Sequence, residues 1–354
     1  MILHIFSDSS YTYKYIDFVN STWDPHDHEF VVLTMENSRF KEYYHHTANC
    51  HPVSGRLSFL HYAALFLKAR KVIFHQLNQP RLLLILSLLY PSVFYKGVWS
   101  IWGGDVYFHR YKTKSIKDNL IEKIMGHVIS KLPYITGYIP GDFEIIKTHY
   151  KTDAKYIKSK YLIPFDMEEV KELKSERKQD ASTTIMVGNS ADPLNEHVNA
   201  FAQLSRYKNE KIKILSVLSY GGSGQYVDKV IETGKSIFGE KFVPITDYMS
   251  FEEYLNFISS VDIAFFNHKR QQGLGNVVLF FALGKKVFIS RNVTPYEYYK
   301  SIGISLFPTE QVPNMTFDEF IQIDEDAIEQ NRAIIFDDVN LANIKNEWEN
   351  VFNA

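Results

Sequence analysis

The strongest constraint on this chain is an alternation that runs, stops and starts again. Short β-branched and aromatic runs alternate with longer segments of helical period up to Lys158, a charged interruption follows, and the pattern resumes at Thr183. Such a pattern predicts α/β architecture, with parallel strands buried under crossover helices, built twice. Strands are predicted at Ile2–Phe6, Phe30–Thr34, Val72–His75, Val98–Trp102, Ile135–Tyr138 and Tyr156–Lys158. Helices are predicted at Arg56–Lys68, Arg81–Leu89 and Ile116–Ser130. From Met167 to Ser182 the composition turns to Glu168, Glu169, Lys171, Glu172, Lys174, Glu176, Arg177, Lys178 and Asp180, which reads as a solvated linker with room for a helical turn.

Beyond the linker, strands are predicted at Thr183–Val187, Ile212–Val217, Phe242–Pro244, Asp262–Phe266 and Val287–Ser290. Helices fall near Glu196–Arg206, Tyr226–Phe238, Phe251–Ser259, Val277–Ala282 and Pro295–Ser301. Ser250-Phe251-Glu252-Glu253 and Thr316-Phe317-Asp318-Glu319 match capping boxes, and a last helix is expected at Leu341–Phe352. The implied layout is a first domain at 1–165, a linker at 166–182, a second domain at 183–338 and a terminal helix at 339–354. At 354 residues the chain exceeds what one core usually fills, which agrees with two domains.

Composition narrows the function. With 39 Lys and Arg against 41 Asp and Glu the chain has no global field for a polyanion, so no nucleic-acid partner is expected. A single cysteine, Cys50, excludes a disulfide framework or a multi-thiolate metal site and points to the cytoplasm. The opening Met1 to Asp8 lacks the features of a signal peptide and reads as a buried strand. The apolar run Leu82 to Tyr90 is too short to span a bilayer. Aromatic residues reach 15%, a high share for a soluble enzyme.

Ligands of doubly wound sheets bind beyond the carboxyl ends of strands, so three segments there are the candidates. In Ile185-Met186-Val187-Gly188-Asn189-Ser190-Ala191-Asp192, a strand leads through small polar residues to a helix near His197, an arrangement that binds phosphate. An ordinary capped β–α turn is the competing reading. In Asn267-His268-Lys269-Arg270-Gln271-Gln272-Gly273-Leu274-Gly275-Asn276, cations precede a glycine-rich helix start, where Arg270 could neutralise a pyrophosphate. In Trp99-Ser100-Ile101-Trp102-Gly103-Gly104-Asp105-Val106-Tyr107, Asp105 is presented as a general base, or else as a helix cap. His75-Gln76-Leu77-Asn78 reaches the same rim. The only D-x-D, Asp324-Glu325-Asp326, lies in a late helical segment, so a metal-dependent transfer through that device is disfavoured and no metal is expected; a metal-free stabilisation of a departing diphosphate would suit the Arg270 loop and helix termini.

At Ile101-Trp102-Gly103-Gly104-Asp105-Val106-Tyr107, Val187-Gly188-Asn189-Ser190-Ala191-Asp192 with Asn195 and His197, and Arg270-Gln271-Gln272-Gly273-Leu274-Gly275, the chain resembles a bacterial family. It is the TDP-Fuc4NAc (4-acetamido-4,6-dideoxy-D-galactose) transferases, which act on a lipid-linked saccharide in enterobacterial common antigen assembly. The resemblance implies a GT-B fold, two Rossmann-like domains facing a cleft, with a nucleotide-sugar donor on the second, the acceptor on the first, and no cofactor. With it, Gly188, Asn189, Ser190, His197, Arg270, Gln271, Gln272, Gly273 and Gly275 fall at the donor, and the neighbouring strand-end loops add Tyr220, Gly221 and Asn276. Trp102, Gly103, Tyr107 and Asn78 fall on the acceptor side, with Asp105 as base and His75 as the next candidate. It also implies a dTDP-sugar, an undecaprenyl-diphosphate-linked acceptor and a peripheral position on the inner face of the cytoplasmic membrane. Tyr107 to Lys114, with Lys117, mixes aromatics with cations and suits anionic headgroups, a solvated loop being the competing reading. A UDP- or GDP-linked donor, such as a fucosyl nucleotide, a soluble acceptor, or non-catalytic nucleotide binding are the alternatives.

Overall fold

A computed structural model describes residues 1–34, 41–54, 62–111, 115–163, 165–173 and 182–354. They form two compact units, Met1–Pro164 with Val339–Ala354, and Phe165–Asp338. Each is a parallel sheet covered by helices.

The first unit holds β1 (Ile2–Ser7), β2 (His28–Leu33), β3 (Cys50–Val53), β4 (Lys71–His75), β5 (Gly97–Ser100), β6 (Tyr134–Gly137) and β7 (Lys155–Lys158), in the order β3-β2-β1-β4-β5-β6-β7. The order reverses between β1 and β4, so their carboxyl ends flank the crevice such a sheet offers a ligand. Its helices are α1 (Ser10–Thr22), α2 (Lys41–His46), α3 (Ala63–Lys68), α4 (Pro80–Leu89), α5 (Phe108–Tyr111), α6 (Ile116–Ile129) and α7 (Pro140–Tyr150). Side chains alternate across the sheet: Leu3 and Ile5 join Leu83, Leu86, Val128 and Ile129 on one face, while Ile2 and Phe6 join Ile16, Val19 and Trp348 on the other.

The second unit opens with α8 (Met167–Glu172) and continues as β8 (Thr183–Val187), α9 (His197–Leu204), β9 (Ile212–Val217), α10 (Gly224–Phe238), β10 (Phe242–Ile245) and α11 (Phe251–Ser259). There follow β11 (Ile263–Phe266), α12 (Leu274–Ala282), β12 (Lys286–Ile289), α13 (Thr294–Ser301), β13 (Phe307–Pro308), α14 (Phe317–Ile321) and α15 (Glu325–Asp338). The sheet order is β10-β9-β8-β11-β12-β13, with the switch point between β8 and β11. Both capping boxes form as their sequences predict.

The last helix, α16 (Leu341–Asn353), packs on the first unit. Trp348 is fully buried there and donates its indole N–H to the Lys160 carbonyl at 2.7 Å. Lys71 reaches from β4 to the carbonyl of Val351 at 2.7 Å, so helix and strand are tied by polar bonds as well as packing.

The structure departs from the sequence expectation in several places. Helices α1 and α7 and strands β3 and β13 were not expected. The stretch Tyr11 to Tyr15 carries aromatic residues at alternate positions like a strand, yet Ser9 caps it as a helix by accepting from the Thr12 amide. Within the expected linker, Asp166 caps α8 and Val170 is buried, so Met167–Glu172 is part of the second unit. Residues 174–181 of that linker, and 56–61 of the helix expected at Arg56–Lys68, lie outside the described residues.

Candidate active site

In the second unit, the loops after β8 and β11 meet. Gly188 has φ +70° and Gly273 φ +63°, left-handed conformations that favour glycine. A Cβ on Gly188 would lie 2.6 Å from the His197 Nε2, and one on Gly273 would lie 2.7 Å from the Asn189 side chain. Both positions are closed to any larger residue, at Gly188 by His197 and Asn195 of the same segment and at Gly273 by Asn189 of the β8 loop.

The β8 loop is bonded to itself. The Asn195 side chain accepts from the Asn189 amide at 3.0 Å and donates to the Ser190 carbonyl at 3.0 Å. The amides of Gly188, Ala191 and Asp192 donate to Phe265, Tyr220 and the Ser190 hydroxyl. Most N–H groups of this loop, which was expected to lead to a phosphate-binding helix start, are thus already engaged. A short 3-10 turn, Pro193–Asn195, also separates the loop from α9. The better anion pole is the start of α12, a nine-residue helix that opens at Gly273 with Leu274, Gly275 and Asn276 in its first turn.

Arg270 stands beside that helix start. Its guanidinium pairs with Asp192 at 2.7 Å and donates to the Gln271 carbonyl at 2.9 Å, which leaves further N–H groups of its fork to offer. Lys269, still exposed, pairs with Glu196 at 2.9 Å. His268, read from sequence as a cation, is 3% exposed, and burial pushes it down to about 3. Burial likewise takes His197 down to about 4, so both rings are neutral at pH 7. Arg270 thus carries the positive charge at this edge.

Around it lie buried polar atoms with no protein partner: the Asn189 Oδ1, the Nε2 atoms of His197 and His268, the Gln271 Oε1, and both carboxamide atoms of Gln272. Unpaired buried polar groups are costly, and a cluster of them at a strand-end crevice is the mark of a site that a polar ligand completes. Tyr220 donates from its hydroxyl to the Asn189 carbonyl at 2.9 Å while its ring is 55% exposed. Gly221 lies against Ser190, and the Asn276 side chain accepts from Tyr254 at 2.8 Å. No local signal marks His268 as a neutral hydrogen-bonding group, or Asn195 and Asp192 as the residues that shape the loop and aim Arg270.

In the first unit the expected residues behave differently. Asp105 is 8% exposed, and its carboxylate accepts from the Trp99 indole at 2.8 Å and from the amides of Trp102 at 3.1 Å and Leu77 at 3.4 Å. Burial raises its pKa while these donors oppose the rise. That is the bonding of a loop anchor, in place of the helix cap that was the alternative reading. Asp105→Asn should turn an NH2 group toward one of these donors, costing about 1 to 3 kcal/mol and several degrees in Tm. Unchanged melting with lost turnover would instead return the carboxylate to the chemistry.

His75, the second candidate base, is 2% exposed and has both ring nitrogens engaged. Its Nε2 meets the His4 Nδ1 at 3.1 Å, its Nδ1 meets the Tyr161 hydroxyl, and the ring stacks on Phe6. His4 in turn meets His28 at 3.0 Å. His75 has no nitrogen left for an acceptor hydroxyl, so its place is structural. Tyr107 is buried and donates to Asp142 at 2.7 Å, which removes it from any acceptor surface. Trp102 is half-buried against Tyr161, Gly103 adopts φ +94°, and Asn78 is exposed. Asn78, Ser7, Gln76 and Gln79 line a recess at the carboxyl ends of β1 and β4. Gln76 holds φ +79°, a rare conformation for this residue. Asp324, from the D-x-D sequence, accepts from the Ala327 amide at 3.1 Å as a helix cap.

Two Rossmann-like parallel-sheet units, with a polar strand-end site on the second, define a glycosyltransferase of the GT-B fold. The chain matches, over residues 13–353, the family described as 4-alpha-L-fucosyltransferase, glycosyl transferase group 56, and it belongs to that family. Solved structures of similar fold include Anabaena HepE in complex with UDP and glucose, at 11% identity and TM-score 0.67, covering 100% of each chain. A glycosyltransferase from Rickettsia africae matches at 11% identity and TM-score 0.68, covering 99% of this chain and 97% of its own. The lipopolysaccharide outer core galactosyltransferase WaaB, in its apo form, matches at 10% identity and TM-score 0.65, covering 100% of this chain and 99% of its own.

Proposed function

We propose that this glycosyltransferase moves a 6-deoxy amino sugar of the Fuc4NAc type from a dTDP-sugar to an undecaprenyl-diphosphate-linked saccharide, without a metal, at the inner face of the cytoplasmic membrane. The observation that carries the donor half is the cluster of unpartnered buried polar atoms beside Arg270. The resemblance at the three motif segments supports the sugar and the acceptor. The family's description names an L-fucosyl group, whereas Fuc4NAc belongs to the D series, so the choice of sugar rests on the motif resemblance alone.

In this reading the diphosphate lies between Arg270 and the start of α12, where the guanidinium fork and the helix dipole stabilise charge as the sugar departs. Neutral His197 and His268, with Asn189, Gln271 and Gln272, hydrogen-bond the sugar and phosphates, and the Tyr220 ring borders the nucleotide. Asp105 positions the 101–107 loop on the acceptor side.

Thermal-shift measurement against dTDP, UDP and GDP tests the base. At tenfold its Kd, dTDP should raise the Tm by about 3 to 6 °C, and the other two by less. A larger shift with UDP or GDP would move the donor to that nucleotide. No shift with any of them would remove the nucleotide-sugar reading of this site.

A further inference from the structure

We propose that the outer face of α4 and α6 is the surface by which this protein docks on an anionic lipid bilayer, an inference that rests on the lipid-linked acceptor proposed above. Among the described residues, seven of the eleven large apolar side chains left exposed fall between residues 67 and 120. On α4 these include Leu84 and Leu88, one turn apart, with Arg81 a turn earlier; on α6 they are Ile116 and Leu120, with Lys117 beside them and Lys123 a turn later. Ile116 is 90% exposed and Leu88 72%.

The two helices bury their opposite stripes, Leu82, Leu83 and Leu86 on α4 and Met125, Val128 and Ile129 on α6, in one core cluster. They lie side by side on the same face of the sheet, so their outer stripes face away from it together. Folding gives no reason for apolar residues at helical spacing on the solvent side. A lipid interface does, because leucine and isoleucine enter the acyl boundary while neighbouring cations stay with the headgroups.

Charge selects the occupant. On the two helices Arg81, Lys117 and Lys123 are exposed, whereas the acids Asp118 and Glu122 are half-buried. Glu122 is also bonded to His149 at 2.7 Å. A second copy of the same face would bring like charges together, whereas anionic headgroups complement it. The face also adjoins the proposed acceptor side: Gln79, which lines the recess at β1 and β4, immediately precedes α4. The headgroup contact expected at Tyr107 moves here, since Tyr107 is buried, and Lys112 to Lys114 lie outside the described residues.

Flotation of the full chain with phosphatidylcholine vesicles, with and without phosphatidylglycerol, tests the surface. The wild type should bind only the anionic vesicles, and less as salt rises. The double variants Leu84→Gln with Leu88→Gln, and Lys117→Glu with Lys123→Glu, should each reduce binding by about tenfold while leaving melting and the nucleoside-diphosphate thermal shift unchanged. Wild-type binding by both variants, or no vesicle binding by the wild type, would overturn the docking face. So would a dimer in light scattering that the same substitutions dissociate while vesicles are ignored. A retained nucleotide shift in any of these cases would confine the failure to the membrane surface.

Discussion

Arg270→Ala should lower turnover by about a hundredfold or more at saturating donor and acceptor. The expectation follows from the charges on the page: the two histidines at this edge are neutral, Lys269 is held by Glu196, and Arg270 alone pairs a fixed guanidinium with the start of α12. A departing diphosphate gains negative charge in the transition state, so losing the donor aimed at it raises the barrier more than it weakens ground-state binding. The effect belongs in kcat, with a smaller change in KM for the donor. Arg270→Lys keeps the charge but loses the fork that Asp192 orients, and should recover only part of the rate. Stopped assays with the purified variant decide it: wild-type kcat in Arg270→Ala would remove Arg270 from the reaction.

Acid should unfold this protein early. His4, His28 and His75 form a hydrogen-bonded row inside the first unit, and burial lowers the pKa of each, His28 to about 4. His197 and His268 do the same in the second unit, at about 4 and about 3. In the unfolded chain these groups titrate near 6.5. Their contribution is therefore complete above pH 6.5 and is lost as the pH falls toward 4, because the unfolded state takes up protons that the folded state refuses. A drop from 6.5 to about 4 corresponds to roughly 3 kcal/mol for one histidine, a large part of a typical domain's stability. The urea midpoint should fall steadily between pH 7 and pH 5, before most carboxylates titrate. His28→Gln should show a shallower fall, and an equal midpoint at pH 7 and pH 5 would contradict the account.

The strands were readable because a buried parallel strand must be a short apolar run, and the chain repeats that run between helical segments. Ser250 with Glu253 and Thr316 with Glu319 were readable because a capping box closes within four residues. The Gly188 and Arg270 loops stood out because glycines and bulky polar residues at a strand end serve a simple turn poorly. The role of Asp105 was not readable in the same way. Its partners Trp99 and Trp102 are near in sequence, but only the folded loop shows that both its oxygens accept N–H bonds.

The long-range polar network escaped the sequence for a related reason. His4 sits in an apolar strand, and its partners lie 24 and 71 residues away, so no local pattern announces them. His268 looked like one of three cations, and only burial made it neutral. Sequence by itself determined two α/β units, their strand ends and the loops that carry polar chemistry, because those features follow from local period and turn chemistry. Tertiary structure decided which of these polar groups are already satisfied and which still await a ligand, since hydrogen-bond partners and desolvation are set by residues that meet only after the chain has folded.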